Sequence, residues 1–235
     1  NLPQDQSLFI GRALEQNEVC QRLLSQPCRL VTILGSGGVG KTQLALHVAR
    51  QLQTSFLEGV YLVQAQTLET SAELIAAIAE SVGCVMREQR PLPQLLEFLR
   101  NRELLLLCDN FEQLGAAGGA VIHQILANTT HVKVLITSRE RLGLIAEWVQ
   151  PLAGLAYPLS AQLGNLATPA TYSGVQLFRE RARQFVPDFV PTDADYAAIA
   201  QICELTAGLP LAIELAAAWV RVLSCTEIAT ELQRN

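Results

Sequence analysis

The sequence has almost no lysine and no long apolar run. Two lysines stand against fifteen arginines among its 235 residues, and 17 basic against 22 acidic side chains leave a net charge of −5. This balance argues against a general positive field for nucleic acids or membrane surfaces. No apolar run approaches the roughly 18 residues that a membrane-spanning helix needs. The amino-terminal residues also lack a charged-then-apolar leader pattern, so we expect a soluble, cytoplasmic chain.

Patterns typical of metal sites are also missing. Six cysteines fall at irregular spacings, with no C-x-x-C pair and no histidine cluster beside them. Structural zinc sites require such groupings, so we expect buried thiols in a reducing compartment. Half of the residues are apolar, which is ample for a hydrophobic core and excludes a disordered segment.

Short apolar runs alternate with helical patterns over the first two thirds of the chain. Four continuous runs indicate strands covered on both faces, and residues 147–150 form a weaker fifth candidate. The four runs are 30–34, 59–63, 104–108 and 132–136. Helical patterns lie between them, at 43–53, 71–78 with Ser71 as the expected cap, 92–101 and 116–127. Strands that alternate with helices predict βαβ units and a mostly parallel sheet.

The last third of the chain has a different texture. Proline, glycine, alanine and threonine dominate from Pro151 to Ser173, which is typical of a connector. Only helical patterns follow, at 175–185, 192–205, 210–223 and from 226 onward. We therefore predict an α/β domain at 1–157, a linker at 158–173 and a small helical subdomain at 174–235. Since the chain begins without methionine and has no evident tail, we expect it to be a piece of a longer protein.

One glycine-rich segment fits a phosphate-binding loop. Residues 35–42 read GSGGVGKT and match G-x-x-x-x-G-K-[ST], directly after an apolar run and before a helical pattern. Small residues let backbone N–H groups surround an anion, and the helix amino terminus adds positive partial charge. Lys41 would reach the β and γ phosphates, and the Thr42 hydroxyl would hold Mg²⁺. The candidate phosphate-binding residues are Gly35, Ser36, Gly37, Gly38, Val39, Gly40, Lys41, Thr42 and Gln43.

A carboxylate follows the third apolar run. Four leucines and a cysteine lead to Asp109, which fits the Walker B motif that places an acid beside a Mg²⁺ ion. The alternative is an ordinary aspartate at a strand end. The next position holds Asn110, which cannot take a proton from water. Glu112 is near enough in sequence to orient the attacking water, or it simply faces solvent, so we expect slow turnover.

The fourth apolar run is followed by Thr137, Ser138 and Arg139. A guanidinium at this strand end could contact the γ phosphate and stabilise the transition state. The alternative is a surface arginine paired with Glu140 or Glu147. In the helical part, Arg179, Arg181 and Arg183 indicate a solvated helix face, and Trp219 is expected in the core.

Four elements, in order, give the sequence a family resemblance. They are Phe9-Ile10-Gly11-Arg12, the phosphate loop, Leu104 to Asp109, and Gly208-Leu209-Pro210-Leu211. Together they resemble the NB-ARC or STAND class of signal-transduction ATPases, over nearly the whole chain from Phe9 onward. The phosphate loop is common to many NTPases, whereas the first and last tetrapeptides are much more specific.

The resemblance implies a P-loop NTPase fold and roles for individual residues. Its five-stranded parallel sheet would be flanked by helices and followed by a small helical subdomain, and the Arg139 strand would lie between the phosphate-loop strand and the Asp109 strand. Ile10, Gly11 and Arg12 would lie against the adenine and ribose, and Pro210 would close over the base. Arg139 is similar to the first sensor arginine.

The sequence also departs from the family pattern. Ala13 and Asn110 stand where acids are common, and the winged-helix domain, with its nucleotide-contacting histidine, lies outside this sequence.

Two functional hypotheses follow. The first is Mg²⁺-dependent ATP and ADP binding with slow hydrolysis, in which the γ phosphate changes the angle between the sheet and helical domains of a signalling or regulatory protein. It implies winged-helix, sensor and effector domains as partners and an ATP-dependent homo-oligomer, with no direct nucleic-acid or membrane contact by this chain. The alternative is a small-molecule kinase, but no arginine-rich lid is evident. A GTPase is disfavoured because no N-K-x-D motif occurs.

Overall fold

The computed structural model describes residues 2–3, 9–87, 90–159 and 169–234. The described chain forms two compact units. The first consists mainly of residues 13–35 and 41–152, and the second of 9–12, 36–40 and 153–234. Residues 160–168, which make up most of the predicted linker, lie outside the described residues.

A five-stranded parallel sheet forms the centre of the first unit. Its strands lie in the order β2-β3-β4-β1-β5. They are β1 (Leu30–Leu34), β2 (Val60–Gln64), β3 (Leu105–Asp109), β4 (Lys133–Ser138) and β5 (Glu147–Pro151). Every residue of β3 is buried, and because successive side chains alternate between faces, both faces of the sheet are covered. The predicted fold class is confirmed, including the position of β4 between β1 and β3.

Five α-helices and a 3₁₀ turn at Phe111–Leu114 complete the described part of the first unit. The helices are α1 (Ala13–Leu24), α2 (Lys41–Gln51), α3 (Ser71–Ser81), α4 (Pro91–Leu99) and α5 (Gly115–Asn128). Helix α1 was not predicted. Ser71 is not the cap of α3: the Thr70 hydroxyl accepts from the Glu73 backbone N–H, and the Glu73 carboxylate accepts from that of Thr70.

Among its described residues, the second unit has four α-helices, which form its body. They are α6 (Ser173–Phe185), α7 (Asp193–Leu205), α8 (Pro210–Ala217) and α9 (Cys225–Arg234). Val175, Phe178, Ile199 and Ile213 are fully buried in its core. The predicted helix at 210–223 is too long, because the α-helix ends at Ala217 and a 3₁₀ turn follows.

Trp219 lies in the 3₁₀ turn after α8 and is 42% exposed, so its prediction as a core residue is wrong.

In the described part of the chain, no helix combines the length and apolar character that crossing a membrane requires.

Candidate functional site

The phosphate loop connects the end of β1 to the start of α2. Gly38 and Gly40 adopt φ values of +75° and +93°, which favour glycine because a side chain strains this backbone region. A Cβ on Gly38 would lie 2.9 Å from the Leu211 Cβ. The loop therefore has the backbone twist of a phosphate-binding loop, and glycine at position 38 also lets Leu211 pack closely against it.

Lys41 is the charged residue of this loop. Only 7% of it is exposed, and its Nζ donates to the carbonyl oxygen of Gly35 at 2.9 Å. Burial lowers the pKa of Lys41; the charges of Glu112 and Asp109 oppose that shift, and Arg139 adds to it. The charges of three other residues of the first unit therefore shift the pKa of this ammonium.

Asp109 is held at the end of β3 by two hydroxyl groups. Its Oδ1 accepts from Thr42 Oγ1 at 2.8 Å and from Thr137 Oγ1 at 2.6 Å. Its Oδ2 accepts from the Asn110 side chain at 3.1 Å. Residue 110 adopts the left-handed conformation, with φ 57° and ψ 56°, which asparagine tolerates better than most residues. The backbone at this position thus gives a reason for Asn110.

The donor set around Asp109 fits Mg²⁺. The Thr42 hydroxyl and the Asp109 carboxylate supply adjacent oxygen ligands, and Mg²⁺ prefers one or two such protein ligands together with water and substrate phosphates. Within the described residues, no group of three or more His, Cys, Asp or Glu side chains could hold a metal ion by itself. The arrangement therefore suits an ion that arrives with a phosphate ligand.

Arg139 and Glu112 form an ion pair beside this site. Arg139 Nε lies 3.1 Å from Glu112 Oε1, and the two side chains are 65% and 22% exposed. The partner of Arg139 is therefore neither Glu140 nor Glu147, which were the partners named in the alternative interpretation. The Glu147 carboxylate instead accepts the backbone N–H groups of Leu142 and Gly143.

The second carboxylate oxygen of Glu112 has a different environment. Glu112 Oε2 is buried and has no hydrogen-bond partner among the described residues. Glu112 is therefore not simply a solvent-facing acid, which was the alternative to a role in orienting water.

The second unit places the remaining candidates around residues 36–40. The Arg12 Nη2 group donates to the carbonyl oxygen of Val39 at 3.3 Å. Pro210 begins α8, and its Cγ lies 3.9 Å from the place where a Cβ on Gly40 would stand. Ile10 packs against the core of this unit. In the first unit, Gln43 lies in the first turn of α2 and is exposed.

Sequence reasoning missed two residues that contact the candidates, one in each unit. Thr137 donates to Asp109 and also accepts the Asn110 backbone N–H at 2.9 Å. Leu211 donates its backbone N–H to the carbonyl oxygen of Gly38 at 3.2 Å. The hydroxyl at the end of β4 was a signal for Thr137, whereas the backbone contact of Leu211 has no side-chain signal.

A strand, phosphate loop and helix in succession, within a parallel sheet of this order, define a P-loop NTPase. More narrowly, the family model named NB-ARC domain matches residues 13–148. The chain belongs to the NB-ARC family of nucleotide-binding ATPases.

Several bacterial proteins are similar to this chain in sequence. A Mycobacterium tuberculosis protein provisionally named an HTH-type transcriptional regulator is 34% identical over 214 residues, which cover 90% of this chain and 22% of that protein. An uncharacterized protein of the same organism is 33% identical over 227 residues, covering 95% and 53% of the two chains. Regulatory protein AfsR of Streptomyces griseus is 27% identical over 245 residues, covering 96% and 23%. The chain thus spans between about a fifth and about half of these relatives.

Solved structures show the same fold. A STAND protein with a tetratricopeptide repeat sensor from Pyrococcus horikoshii matches with a TM-score of 0.58 and 19% identity, over 99% of this chain and 33% of that one. Cdc6p from Pyrobaculum aerophilum matches with a TM-score of 0.60 and 13% identity, over 98% and 64%. At these identities the likeness concerns the fold.

Proposed function

We propose that this chain is the nucleotide switch of a longer regulatory protein: it binds ATP or ADP with Mg²⁺ and hydrolyses ATP slowly. The observation that carries the proposal is the hydrogen bond between Thr42 and Asp109, 2.8 Å long, directly beside a glycine-lined loop that contains a buried lysine. These are the groups that hold polyphosphate and Mg²⁺ together in P-loop NTPases. Membership of the NB-ARC family supports the same conclusion.

Each group of the first unit has a chemical role in this proposal. The Lys41 ammonium binds the terminal phosphates, and the Thr42 hydroxyl is the protein ligand of Mg²⁺. Asp109 accepts the hydrogen of that hydroxyl, which leaves the lone pairs of the hydroxyl oxygen available to an ion that would bind there. When bound, Mg²⁺ neutralises charge on the β and γ phosphate oxygens.

Slow hydrolysis follows from the group that is available to orient water. Asn110 cannot accept a proton, so the role falls to Glu112, whose Oε2 is buried without a hydrogen-bond partner among the described residues. Its other oxygen is paired with Arg139. The ion pair thus leaves only one of the two carboxylate oxygens available to orient water, and this limits the rate.

The division of the chain suggests how nucleotide occupancy becomes a signal. Residues 36–40 belong to the second unit, whereas Gly35 and Lys41 on either side belong to the first. The phosphate loop therefore includes residues that are assigned to both units. A ligand changes a conformational equilibrium only through its different affinities for two states, and a few kcal/mol suffice.

In this proposal, the longer protein contributes the further domains that sense the signal and produce the output. We propose winged-helix, sensor and effector domains as partners in the cytoplasm, an ATP-dependent homo-oligomer, and no direct nucleic-acid or membrane contact by this chain. The names of two relatives, a transcriptional regulator and a regulatory protein, support a regulatory output. Rapid phosphate transfer to a small acceptor would instead favour the kinase alternative.

Arg139→Ala tests whether Arg139 contacts the γ phosphate and so distinguishes ATP from ADP. We expect the preference for ATP over ADP to fall about tenfold, because a hydrogen bond between charged groups contributes roughly 1.5–3 kcal/mol. Calorimetric titration with both Mg²⁺-nucleotides measures the ratio, and Arg141→Ala, an exposed arginine two residues away, is the matched control. An unchanged ratio would exclude Arg139 from γ-phosphate sensing. Failure of the unaltered protein to bind either nucleotide would contradict the proposed function.

Glu112→Gln tests the water-orienting role. We expect hydrolysis to slow by about a hundredfold while ATP affinity stays within a factor of two, since general base catalysis contributes roughly 10²–10⁴-fold. The amide oxygen can still accept from Arg139, so the local fold is preserved. Phosphate release under saturating ATP measures the rate, with Glu140→Gln as the neighbouring control. Equal rates in all three proteins would mean that another group orients the water.

A further inference from the structure

Two carbonyl groups of the phosphate loop are held by donors from elsewhere in the second unit. The Gly38 carbonyl oxygen accepts the backbone N–H of Leu211 at 3.2 Å. The Val39 carbonyl oxygen accepts Nη2 of Arg12 at 3.3 Å. The same Nη2 donates to the carbonyl oxygen of Ala153 at 2.5 Å. One amino group thus joins the loop to the segment that begins at Ala153.

The backbone around Arg12 presents this side chain in an uncommon way. Gly11 and Arg12 have consecutive positive φ values of 72° and 67°. A non-glycine residue keeps such a conformation only where its surroundings impose it. A Cβ on Gly11 would lie 2.9 Å from the Ser173 Cβ, which shows how closely α6 approaches this turn. The guanidinium therefore extends from a turn fixed by its neighbours.

Holding a carbonyl also orients the next N–H group. In a trans peptide, the C=O and the following N–H point in opposite directions, and no cis peptide occurs in the described chain. A donor on the Gly38 carbonyl thus fixes the direction of the Val39 N–H, and a donor on the Val39 carbonyl fixes that of the Gly40 N–H. These are N–H groups of the kind that surround an anion in a phosphate loop.

From this geometry we propose that Arg12 is a positioning residue, which strengthens phosphate binding by fixing the loop backbone from outside. The proposal rests on the proposed function, since it concerns the same loop. It differs from the role that the family resemblance implies, in which Arg12 lies against the adenine and ribose. A base or ribose contact would not affect a ligand that has neither group.

Tripolyphosphate and ADP separate these two roles. We expect Arg12→Met to weaken both ligands by the same factor, about tenfold, because it removes a charged donor to a carbonyl without changing the ligand contacts. Arg12→Lys should restore part of the loss, since an ammonium can also donate to two carbonyls. Titration of each ligand, with tripolyphosphate measured by its displacement of labelled ADP, gives both affinities for each protein. Arg234→Met, which removes a 69% exposed side chain from the same unit, is the control.

The amide hydrogens of the loop give a second readout that needs no ligand. In ligand-free Arg12→Met, the Gly40 amide should exchange faster with solvent than in Arg234→Met, and the core of α7 should exchange as before. Loss of ADP affinity with unchanged tripolyphosphate affinity would overturn the proposal, as would unchanged affinity for both or no tripolyphosphate binding by the unaltered protein. Absence of ADP binding by the unaltered protein would instead contradict the proposed function.

Discussion

Lys41→Ala should abolish stabilisation of the protein by adenine nucleotides. At a concentration of 100 times Kd, a bound ligand adds about 2.7 kcal/mol to the free energy of unfolding. For a chain of this length, that corresponds to a rise of about 5–10 °C in the unfolding temperature. Without its ammonium, the loop keeps its backbone donors but loses its point charge for the terminal phosphates. Thermal unfolding with and without Mg²⁺-ADP measures the difference.

This substitution should leave the ligand-free protein folded. Burial lowers the pKa of Lys41, so folding disfavours its charged form, and removing the charge also removes that unfavourable contribution. The unfolding temperature without nucleotide should therefore stay the same or rise. A lower unfolding temperature would show that the stabilisation from the hydrogen bond to Gly35 exceeds the destabilisation from burying the charge.

The only other lysine provides the matched control. Lys133 begins β4, is partly buried, and donates from Nζ to the Ser25 carbonyl oxygen at 2.6 Å. Lys133→Met should keep the full rise in unfolding temperature with nucleotide. If Lys41→Ala kept the rise, the nucleotide would have to bind elsewhere.

The sheet could be predicted because its signal is local. Runs of apolar residues over four or five positions are enough to identify buried parallel strands, and the structure differs by only one or two residues at their ends. The cap of α3 could also have been found. Thr70 has Glu73 three positions later, which completes a capping box, whereas Ser71 is followed by Leu74 at that spacing.

Features that depend on packing were not predictable. Helix α1 buries only Val19, Cys20 and Leu23 along its twelve residues, so its apolar stripe is narrow and its sequence is mostly polar. The apolar composition around Trp219 suggested a core helix, but the chain changes to a 3₁₀ turn at Ala218. Which apolar face is covered depends on neighbours that the local sequence does not specify.

The candidate site likewise combines features that the local sequence predicts with features that depend on packing. The residue types at the ends of β3 and β4 were evident, but the partner of Arg139 depends on the 3₁₀ turn that carries Glu112. That turn buries Phe111 and Leu114, and a Cβ on Gly118 would lie 2.8 Å from the Phe111 ring. A glycine in the following helix thus lets the ring pack closely. The sequence contains each of these residues, but their contact is a property of the fold.

Asp109→Asn should remove the magnesium dependence of nucleotide binding and slow hydrolysis by about a hundredfold or more, because metal stabilisation of transition-state charge contributes several kcal/mol. Asparagine is preferable to alanine at this position. Its Oδ1 can still accept from the Thr42 and Thr137 hydroxyls, whereas alanine would leave both hydroxyls without this acceptor.

The side-chain amide introduced by Asp109→Asn has one unfavourable contact. Its NH₂ group would face the Asn110 side-chain NH₂, which now donates to the Asp109 Oδ2 at 3.1 Å. Asp109→Asn combined with Asn110→Asp restores a donor and an acceptor there while keeping the amide at 109, and it serves as the control for this clash. ATP affinity measured in Mg²⁺ and in a chelator, together with phosphate release, distinguishes the loss of the carboxylate from the effect of this clash. If the single variant bound ATP with the same magnesium dependence as the unaltered protein, Asp109 would be a structural acceptor for two hydroxyls and the ion would be held by other groups.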